Sequence, residues 1–475
     1  MANDSRHESL RLLGLFEFSQ LRTLASTVAC VLIALLVSQT PAFPGLEPAA
    51  RRTLGILVFC ALMWVTEAIP AFATSLTAIG LLIALLGKPG GVYAEGPKDW
   101  EVFIAPWGSP LIWLFFGGFC LAAGAGRTGL DRWLALRTLG VFGSAPAMIL
   151  LGVMLVTAVL SMFVSNTATA TLMLAVLAPL LGSRGEGDRM PKGLLLGIAF
   201  AANIGGMGTI IGTPPNAIAA GVLDNEGTPV DFARWMLLAV PPAAALLAMA
   251  WGFLTASYLG RTAFKPLEDF SLGGEPPPSI PPLRQAIVVA TFSTTVLLWM
   301  TSPLTGLPTT VVSFVPICVL TATGILSADD MRRLPWDILL LIAGGLSLGV
   351  AVDKTGLADW VVAQLPTDGV TPWLVVLGFG YLTMVLSNLM SNTATANIVL
   401  PLATATLATT DARLAIPIAL SASLAMCLPI STPPNAIVYG SRQLSSTDLL
   451  VGGLLIGILG PAVVTAWCIV ALRWI

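Results

Sequence analysis

The sequence predicts an all-α polytopic membrane protein, and three observations support this fold class. First, 56% of the 475 residues are hydrophobic and only 10% are charged, whereas about 25% are charged in a soluble domain. Second, apolar segments of spanning length recur from one end of the chain to the other. Third, two six-residue motifs each occur twice, in the same order. With 23 Lys and Arg against 25 Asp and Glu, the composition predicts no nucleic-acid surface.

A transmembrane helix needs about 20 apolar residues. Candidate spans, about 11 in all, lie near residues 24–41, 53–66, 68–87, 110–126, 193–223, 234–259, 284–302, 308–326, 337–353, 412–440 and 446–474. Two further apolar stretches, 145–182 and 371–406, are each too long for one span and carry Ser-Asn-Thr near the middle. We expect each to form a re-entrant hairpin of two half-helices, because non-helical backbone at membrane depth must be buried or line a cavity.

Residues 1–50 form a polar N-terminal segment and the first membrane helix. Its apolar stretch is long enough to remain as a span, and the segment lacks the cleavage pattern of a signal peptide. If the N-terminus is cytoplasmic, most of the 23 basic residues fall on the inner side, as the positive-inside rule requires. The sequence therefore predicts a multi-pass protein of the cell inner (plasma) membrane with a cytoplasmic N-terminus.

Four ordered matches relate the two halves of the chain. They are Gly117-Gly118 with Gly344-Gly345, RTGLDRW (127–133) with KTGLADW (354–360), SNTATA (165–170 and 391–396) and TPPNAI (213–218 and 432–437). We interpret them as two repeats, 51–270 and 271–475, behind one extra helix. Five spans and one hairpin per repeat make an odd number of crossings, so the second repeat must be inverted. Inverted repeats with broken helices are typical of secondary transporters.

Residues that could carry enzymatic chemistry are scarce. There is one histidine, His7, so a His-based triad or metal cage inside the membrane cannot be built. The six cysteines lie singly in apolar segments and are interpreted as small buried hydrophobes: Cys30, Cys60, Cys120, Cys318, Cys427 and Cys468. A channel would need a continuous ring of filter residues, which the two hairpins do not obviously provide. We therefore predict a transporter with no catalytic residues, rather than an enzyme or a channel.

The hairpin tips, 165–167 and 391–393, present hydroxyl, amide and backbone N–H groups at the start of a half-helix, where anions bind well. A single Ser-Asn-Thr is more often helix–helix packing, and a single Pro-Pro is usually a kink, but the duplication favours a binding site. Neither motif contains a basic residue, so a dianion at membrane depth needs another source of positive charge. Bound cations would supply it.

The same motifs offer oxygen ligands suited to a small hard cation such as Na+. Hydroxyl and amide oxygens come from the tips, and backbone carbonyls are freed where Pro-Pro breaks a helix. Ser161 and Ser387 each lie one helical turn before a tip and add a second hydroxyl on the same face. The sequence thus predicts cation-coupled transport of a small anionic substrate. Glu67, in WVTEAIP (64–70), could indicate a proton relay, but we favour a helix-breaking turn with Pro70.

The paired SNT motifs, the loops GTPPN (212–216) and STPPN (431–435), and the WVTEAIP run resemble the divalent anion/sodium symporter family, the INDY-like carriers of dicarboxylates, citrate and sulfate. The resemblance extends from about residue 50 to the end. It implies a homodimer in the lipid bilayer, in which each protomer has a scaffold domain and a transport domain. The transport domain would carry the hairpins and broken helices and move in an elevator-like cycle.

The resemblance also implies site residues. One sodium ion would bind at Ser161, Ser165, Asn166 and Gly212, and a second at Ser387, Ser391, Asn392 and Ser431. Substrate would contact Ser165, Asn166, Thr167, Thr213, Pro214, Ser391, Asn392, Thr393, Thr432 and Pro433. The expected function is symport of a C4-dicarboxylate (succinate, malate or fumarate) with two or more Na+. Sulfate symport and sodium-independent dicarboxylate exchange remain alternatives.

Overall fold

A computed structural model describes residues 18–40, 43–182, 188–267, 281–364, 371–407 and 411–473. Over these ranges the secondary structure is helical and includes no strand, which confirms the all-α prediction. His7 and the predicted boundary between the repeats, near residue 270, lie outside the described residues.

The helices are numbered in chain order. They are α1 (Phe18–Gln39), α2 (Pro48–Thr66), α3 (Ala71–Leu82), α4 (Glu101–Ile104), α5 (Pro110–Arg127), α6 (Leu130–Leu139), α7 (Pro146–Ser161), α8 (Asn166–Gly182), α9 (Met190–Gly206), α10 (Pro214–Asn225), α11 (Phe232–Leu254), α12 (Pro282–Met300), α13 (Ser302–Thr305), α14 (Thr309–Ala322), α15 (Ala328–Arg332), α16 (Trp336–Lys354), α17 (Leu357–Gln364), α18 (Pro372–Leu389), α19 (Asn392–Leu407), α20 (Ala415–Ala422), α21 (Pro433–Tyr439) and α22 (Ser446–Ala471). Short π-helices continue α3 (Ile83–Gly87) and α11 (Thr255–Leu259), and 3-10 turns lie at Ala105–Gly108, Gly140–Phe142, Gly260–Thr262 and Ala412–Leu414.

Seven helical segments of the described chain are long and apolar enough to cross a membrane. They are Pro48–Thr66, Glu101–Arg127, Phe232–Leu259, Pro282–Met300, Trp336–Lys354, Pro372–Leu389 and Ser446–Ala471. Large apolar side chains such as Leu36, Leu297 and Leu374 are more than half exposed, as expected where lipid covers the surface. The multi-pass membrane class is therefore confirmed, whereas the count of eleven spans stays a prediction.

Two segments of predicted spanning length are in fact divided. In 193–223, α9 ends at Gly206 and α10 begins only at Pro214. In 412–440, α20 ends at Ala422 and α21 begins at Pro433. Pro-Pro opens the second half in both cases, because proline lacks an N–H and fits the first turn of a helix better than its interior.

Both Ser-Asn-Thr motifs also interrupt the helix. α7 ends at Ser161 and α8 begins at Asn166, and α18 ends at Leu389 before α19 begins at Asn392. The tip serine caps each new helix: Ser165 Oγ accepts from the Ala168 N–H at 3.3 Å, and Ser391 Oγ accepts from the Ala394 N–H at 3.2 Å. Serine breaks the helix here because its hydroxyl satisfies a first-turn N–H that has no intrahelical partner.

Helices of the two halves of the chain pack against each other in reciprocal pairs. In the first half, α8 packs on α21 of the second half, and reciprocally α19 packs on α10. A second pair of contacts follows the same pattern: α3 of the first half packs on α16 of the second half, and α5 of the first half packs on α14 of the second half. Reciprocal packing of this kind is expected of two copies related by a two-fold axis, and supports the interpretation of the chain as two repeats.

The repeated Gly-Gly pairs mark close helix contacts. A Cβ on Gly117 would lie 2.6 Å from the Ser313 carbonyl oxygen, and one on Gly344 would lie 2.3 Å from Ser75 Cβ. Glycine is therefore required where α5 meets α14 and where α16 meets α3. Five of the six cysteines are buried as predicted, but Cys318 is exposed, because α14 is buried only along part of its surface.

Candidate substrate and ion site

The two hairpin tips and the two helix breaks meet at one cavity of about 730 Å³. All ten residues predicted to contact substrate line it: Ser165, Asn166, Thr167, Thr213, Pro214, Ser391, Asn392, Thr393, Thr432 and Pro433. The end of α2 and the start of α16 complete the lining with Val65, Thr66, Glu67 and Ile338. The tertiary structure thus brings together motifs that are more than 200 positions apart in sequence.

The cavity holds many polar groups but almost no charge. Hydroxyl and amide side chains are numerous along it, although most of the exposed lining surface is apolar, and of the described residues that line it none is Lys, Arg or His. The one ionisable side chain among them is the carboxylate of Glu67. A bound dianion would therefore meet dipoles and hydrogen-bond donors here, but no fixed positive charge.

Most of the residues predicted to hold sodium also line this cavity. Those that do are Ser165, Asn166, Gly212, Ser391, Asn392 and Ser431. The other two, Ser161 and Ser387, are fully buried in the last turns of α7 and α18. Each half of the chain therefore contributes one buried hydroxyl and one tip to what we call a half-site: Ser161 with Asn166, and Ser387 with Asn392.

In the first half-site the oxygens are already paired. Ser161 Oγ lies 2.8 Å from Asn166 Oδ1 and 2.7 Å from the Ala202 carbonyl oxygen, and donates to these acceptors. Gly206 permits this approach, because a Cβ there would come within 2.5 Å of Asn166 Oδ1. Three oxygens from three segments are thus held close together, as in a site for a hard cation.

In the second half-site the corresponding oxygens have no hydrogen-bond partner in the part of the chain that the structure describes. Ser387 Oγ and Asn392 Oδ1 are both buried and unpaired. An unsatisfied buried polar atom costs about 1–3 kcal/mol. A cation bound to either oxygen would remove part of this penalty, so the chemistry of the two atoms is compatible with the predicted ion ligands, which stay a prediction.

Ser431 is held by a residue that the sequence analysis did not identify. Its Oγ lies 2.9 Å from Asn388 Oδ1, and the same Oδ1 accepts from the Cys427 N–H at 2.9 Å. Ser431 Oγ also accepts from the Leu428 N–H at 3.0 Å. Asn388 therefore fixes the second helix break against α18. Its position in the first half, by the offset of the SNT motifs, is Met162, so no duplication marks it.

Two further asparagines brace the helix breaks. Asn216 Nδ2 donates to the carbonyl oxygens of Gly206, Met207 and Thr209 at 2.7–3.3 Å. Asn435 Nδ2 donates to those of Met426 and Leu428 at 3.0 Å. Both are the Asn of TPPNAI, so the duplication contained the signal. Their amides satisfy carbonyls that lose helical partners at the break, which is essential at membrane depth.

Asn203 connects the two halves at the cavity. It is fully buried in α9, and its Nδ2 donates to Thr432 Oγ1 at 3.0 Å and to Asn435 Oδ1 at 3.4 Å. Its Oδ1 has no partner, and the residue lines the cavity. Sequence reasoning missed Asn203 because the offset of the TPPNAI motifs places Ala422 at the matching position.

Glu67 ends α2 in an unusual backbone conformation. Its φ of 48° and ψ of 31° are left-handed, a region that costs a non-glycine residue roughly 1–2 kcal/mol. The chain then turns through Pro70 into α3, which confirms the predicted helix-breaking turn. The structure adds that this turn lines the cavity.

A helical membrane protein with two hairpin tips and two broken helices around one polar cavity belongs to the class of secondary transporters. A family model described as "Citrate transporter" matches residues 61–412. The chain belongs to this family, in agreement with its resemblance to the divalent anion/sodium symporters. Its relatives are transporters and not enzymes, which confirms the prediction.

Individual relatives agree with this assignment. The chain is 33% identical to the sodium-dependent dicarboxylate transporter of Staphylococcus saprophyticus, over 86% of this chain and 84% of that protein. It is 32% identical to the transporter of the same name from Staphylococcus aureus, with the same coverage. The crystal structure of the Alcanivorax borkumensis YdaH transporter covers 87% of this chain and 98% of its own, with a TM-score of 0.50 and 14% identity. At that identity it shows likeness of fold alone.

Proposed function

We propose that this protein is a sodium-coupled symporter of a divalent anion, with a C4-dicarboxylate such as succinate, malate or fumarate as its substrate. One observation carries the proposal: two duplicated hydroxyl- and amide-bearing tips converge on a cavity whose described lining residues include no basic side chain. The relatives named as sodium-dependent dicarboxylate transporters support both the ion and the substrate class.

The two tips suit a substrate with two separated negative groups. Each tip opens a helix of more than fifteen residues, α8 or α19, whose first N–H groups and dipole attract a carboxylate. In our proposal one carboxylate of the substrate binds at residues 165–167 and the other at 391–393. Thr213 and Thr432, at the two breaks, donate hydroxyl hydrogen bonds between them.

Sodium ions would bind behind the tips and offset the charge of the substrate. The first takes oxygens of Ser161, Ser165, Asn166 and Gly212, and the second takes those of Ser387, Ser391, Asn392 and Ser431. Two monovalent cations neutralise one dianion, which lowers the free energy of holding it at membrane depth. Because substrate and ions share both tips, binding of either favours the other.

We further propose an elevator-like cycle in a homodimer. The buried apolar side chains form a large cluster that includes the hairpins, the broken helices, α11 and α22 but also parts of α5, α12 and α14, and a smaller cluster that joins α1, α2 and α3 to α16 and to Ala394 of the second hairpin. In this proposal the hairpins and broken helices form the transport domain and α1, α2 and α3 belong to the scaffold, within two inverted repeats, 51–270 and 271–475. The protein would lie in the inner (plasma) membrane with its N-terminus cytoplasmic.

The test is uptake of labelled succinate into proteoliposomes, with and without an inward sodium gradient. Symport predicts accumulation that needs the gradient, with potassium or choline at equal ionic strength as the control. Uptake that does not depend on sodium but requires dicarboxylate inside the vesicles would show that the protein is an exchanger and not a symporter.

A second measurement identifies the substrate. Unlabelled succinate, malate, fumarate, citrate and sulfate are compared as competitors of labelled succinate. The proposal expects the C4-dicarboxylates to compete best. Competition by sulfate at lower concentration than by any dicarboxylate would make this a sulfate symporter.

A further inference from the structure

Of the described residues that line the cavity, Glu67 alone is charged. Among the described residues it makes no ion pair or side-chain hydrogen bond. Its side chain is exposed at the end of α2. The predicted sodium and substrate ligands all come from the hairpins and the broken helices, whereas Glu67 comes from a separate segment of the chain.

The fold itself does not call for a carboxylate at this position. The left-handed conformation of Glu67, which ends α2, favours Gly or Asn, and a carboxylate, which can only accept hydrogen bonds, cannot satisfy the free carbonyl oxygens at the end of a helix. A strained backbone that presents an unpaired charge to a binding cavity is typical of a functional residue. The remaining question is what that charge acts on.

A fixed negative charge acts oppositely on the two kinds of ligand. It attracts cations and repels anions, and each interaction grows in proportion to the charge of the ligand. A trianion is therefore repelled more strongly than a dianion in the same cavity, while sodium binding is favoured. No basic side chain among the described lining residues neutralises this charge.

We propose that Glu67 is a specificity-determining residue, whose carboxylate favours entry of sodium before the anion and selects dianions over trianions. This inference rests on the proposed function and deepens it. It assigns the distinction between dianions and trianions to Glu67 at the end of α2, and not to the hairpin tips. The tips fix where the carboxylates bind, and Glu67 limits how much negative charge the cavity accepts.

The experiment measures two constants in proteoliposomes for wild type and Glu67→Gln. They are the sodium concentration for half-maximal succinate uptake, and the inhibition constants of succinate and citrate at saturating sodium. Ionic strength is held constant, and the pH is one at which citrate is a trianion. Each anion is compared with itself between variants, so differences in shape cancel.

Neutralising Glu67 is expected to move the constants in opposite directions. The half-saturating sodium concentration should rise about two- to fivefold, and the inhibition constant of succinate should fall by a similar factor. The inhibition constant of citrate should fall further than that of succinate. A purely structural disturbance would weaken sodium and anion binding together.

Three further variants separate charge from backbone effects. Glu67→Asn tolerates the left-handed conformation and should reproduce Glu67→Gln, whereas Glu67→Asp keeps the charge and should stay close to wild type. Glu47→Gln, at the opposite end of the same helix and outside the cavity lining, is the matched control and should change neither constant.

Each outcome of these measurements supports or overturns one of the two proposals. Equal shifts for succinate and citrate, or constants in Glu67→Gln that match wild type, would overturn the role of Glu67 while leaving the symporter proposal intact. Absence of sodium-dependent succinate uptake by the wild type would instead overturn the proposed function, and the role of Glu67 with it.

Discussion

The two half-sites carry the same six-residue motif but bond differently. In the first, Ser161 is paired with Asn166 and with the Ala202 carbonyl. In the second, Ser387 Oγ and Asn392 Oδ1 are buried without partners. The motifs are identical, so the difference comes from neighbours outside them. A duplicated sequence therefore does not guarantee two equivalent sites.

The helix breaks show how neighbours create this difference. In the first half, a Cβ on Gly212 would lie 2.3 Å from the Gly206 carbonyl oxygen, so no side chain fits. In the second half, Ser431 occupies the matching position and bonds to Asn388. Asn388 thus engages Ser431 in the second half, whereas in the first half Ser161 itself pairs with the tip. We infer that the first half-site is preformed, and that the second becomes satisfied only when a cation binds.

The largest expected effect comes from removing the tip amides. Asn166→Ala and Asn392→Ala should each reduce sodium-driven succinate uptake to background, because each removes a predicted ligand of both ion and substrate. Asn166→Ala should also lower the melting temperature of the sodium-free protein more, since Ser161 loses an acceptor. Uptake and thermal unfolding in detergent would measure the two effects.

Normal uptake by both variants would show that the motifs serve helix packing rather than binding. Asn225→Ala provides a matched control, because this asparagine ends α10 and does not line the cavity.

The substitutions Gly212→Ser and Ser431→Gly, at the residues before the two Thr-Pro-Pro sequences, should lower stability by unequal amounts. Gly212→Ser places a side chain against the Gly206 carbonyl and should destabilise the protein by several kcal/mol, on the order of 3. Ser431→Gly removes hydrogen bonds without a clash and should cost about 1 kcal/mol. Thermal or denaturant unfolding of both variants would test the asymmetry, and equal losses would contradict it.

The smallest expected effect is the most direct test of the difference between the two half-sites. Without sodium, Ser161→Ala should destabilise the protein by about 1–2 kcal/mol, because Asn166 Oδ1 and the Ala202 carbonyl lose their donor. Ser387→Ala should be neutral or slightly stabilising, because it removes a buried hydroxyl that has no partner. The measurement is the melting temperature of each variant in potassium or choline buffer.

Adding sodium should then place Ser387→Ala below the wild type in stability. Saturating ligand stabilises a folded protein by about 2.7 kcal/mol at one hundred times its dissociation constant. Both variants should lose part of this gain, so Ser387→Ala falls below wild type only when sodium is present. If sodium leaves the wild-type melting temperature unchanged, the ion assignment of both half-sites is wrong.

Much of this molecule could be predicted from local sequence. Hydrophobic composition identified the membrane class, and Ser-Asn-Thr and Pro-Pro located the points where helices stop. The ten substrate contacts that the family resemblance implies all lie within the duplicated motifs. These features are visible in the sequence because their causes are local. The composition of a segment reflects whether water or lipid surrounds it, and a helix end depends on hydrogen bonds within a few residues.

The tertiary structure alone decided the rest. That the four motifs share one cavity, that Asn203 also lines it, that Asn388 holds Ser431 behind it and that Glu67 adds a charge to its lining all depend on which helices pack together. The bond from Ser161 to the Ala202 carbonyl depends on this packing too. Local sequence fixes where a helix can end, but hydrogen-bond satisfaction and the electrostatic field depend on neighbours tens to hundreds of residues away, which only the packed fold supplies.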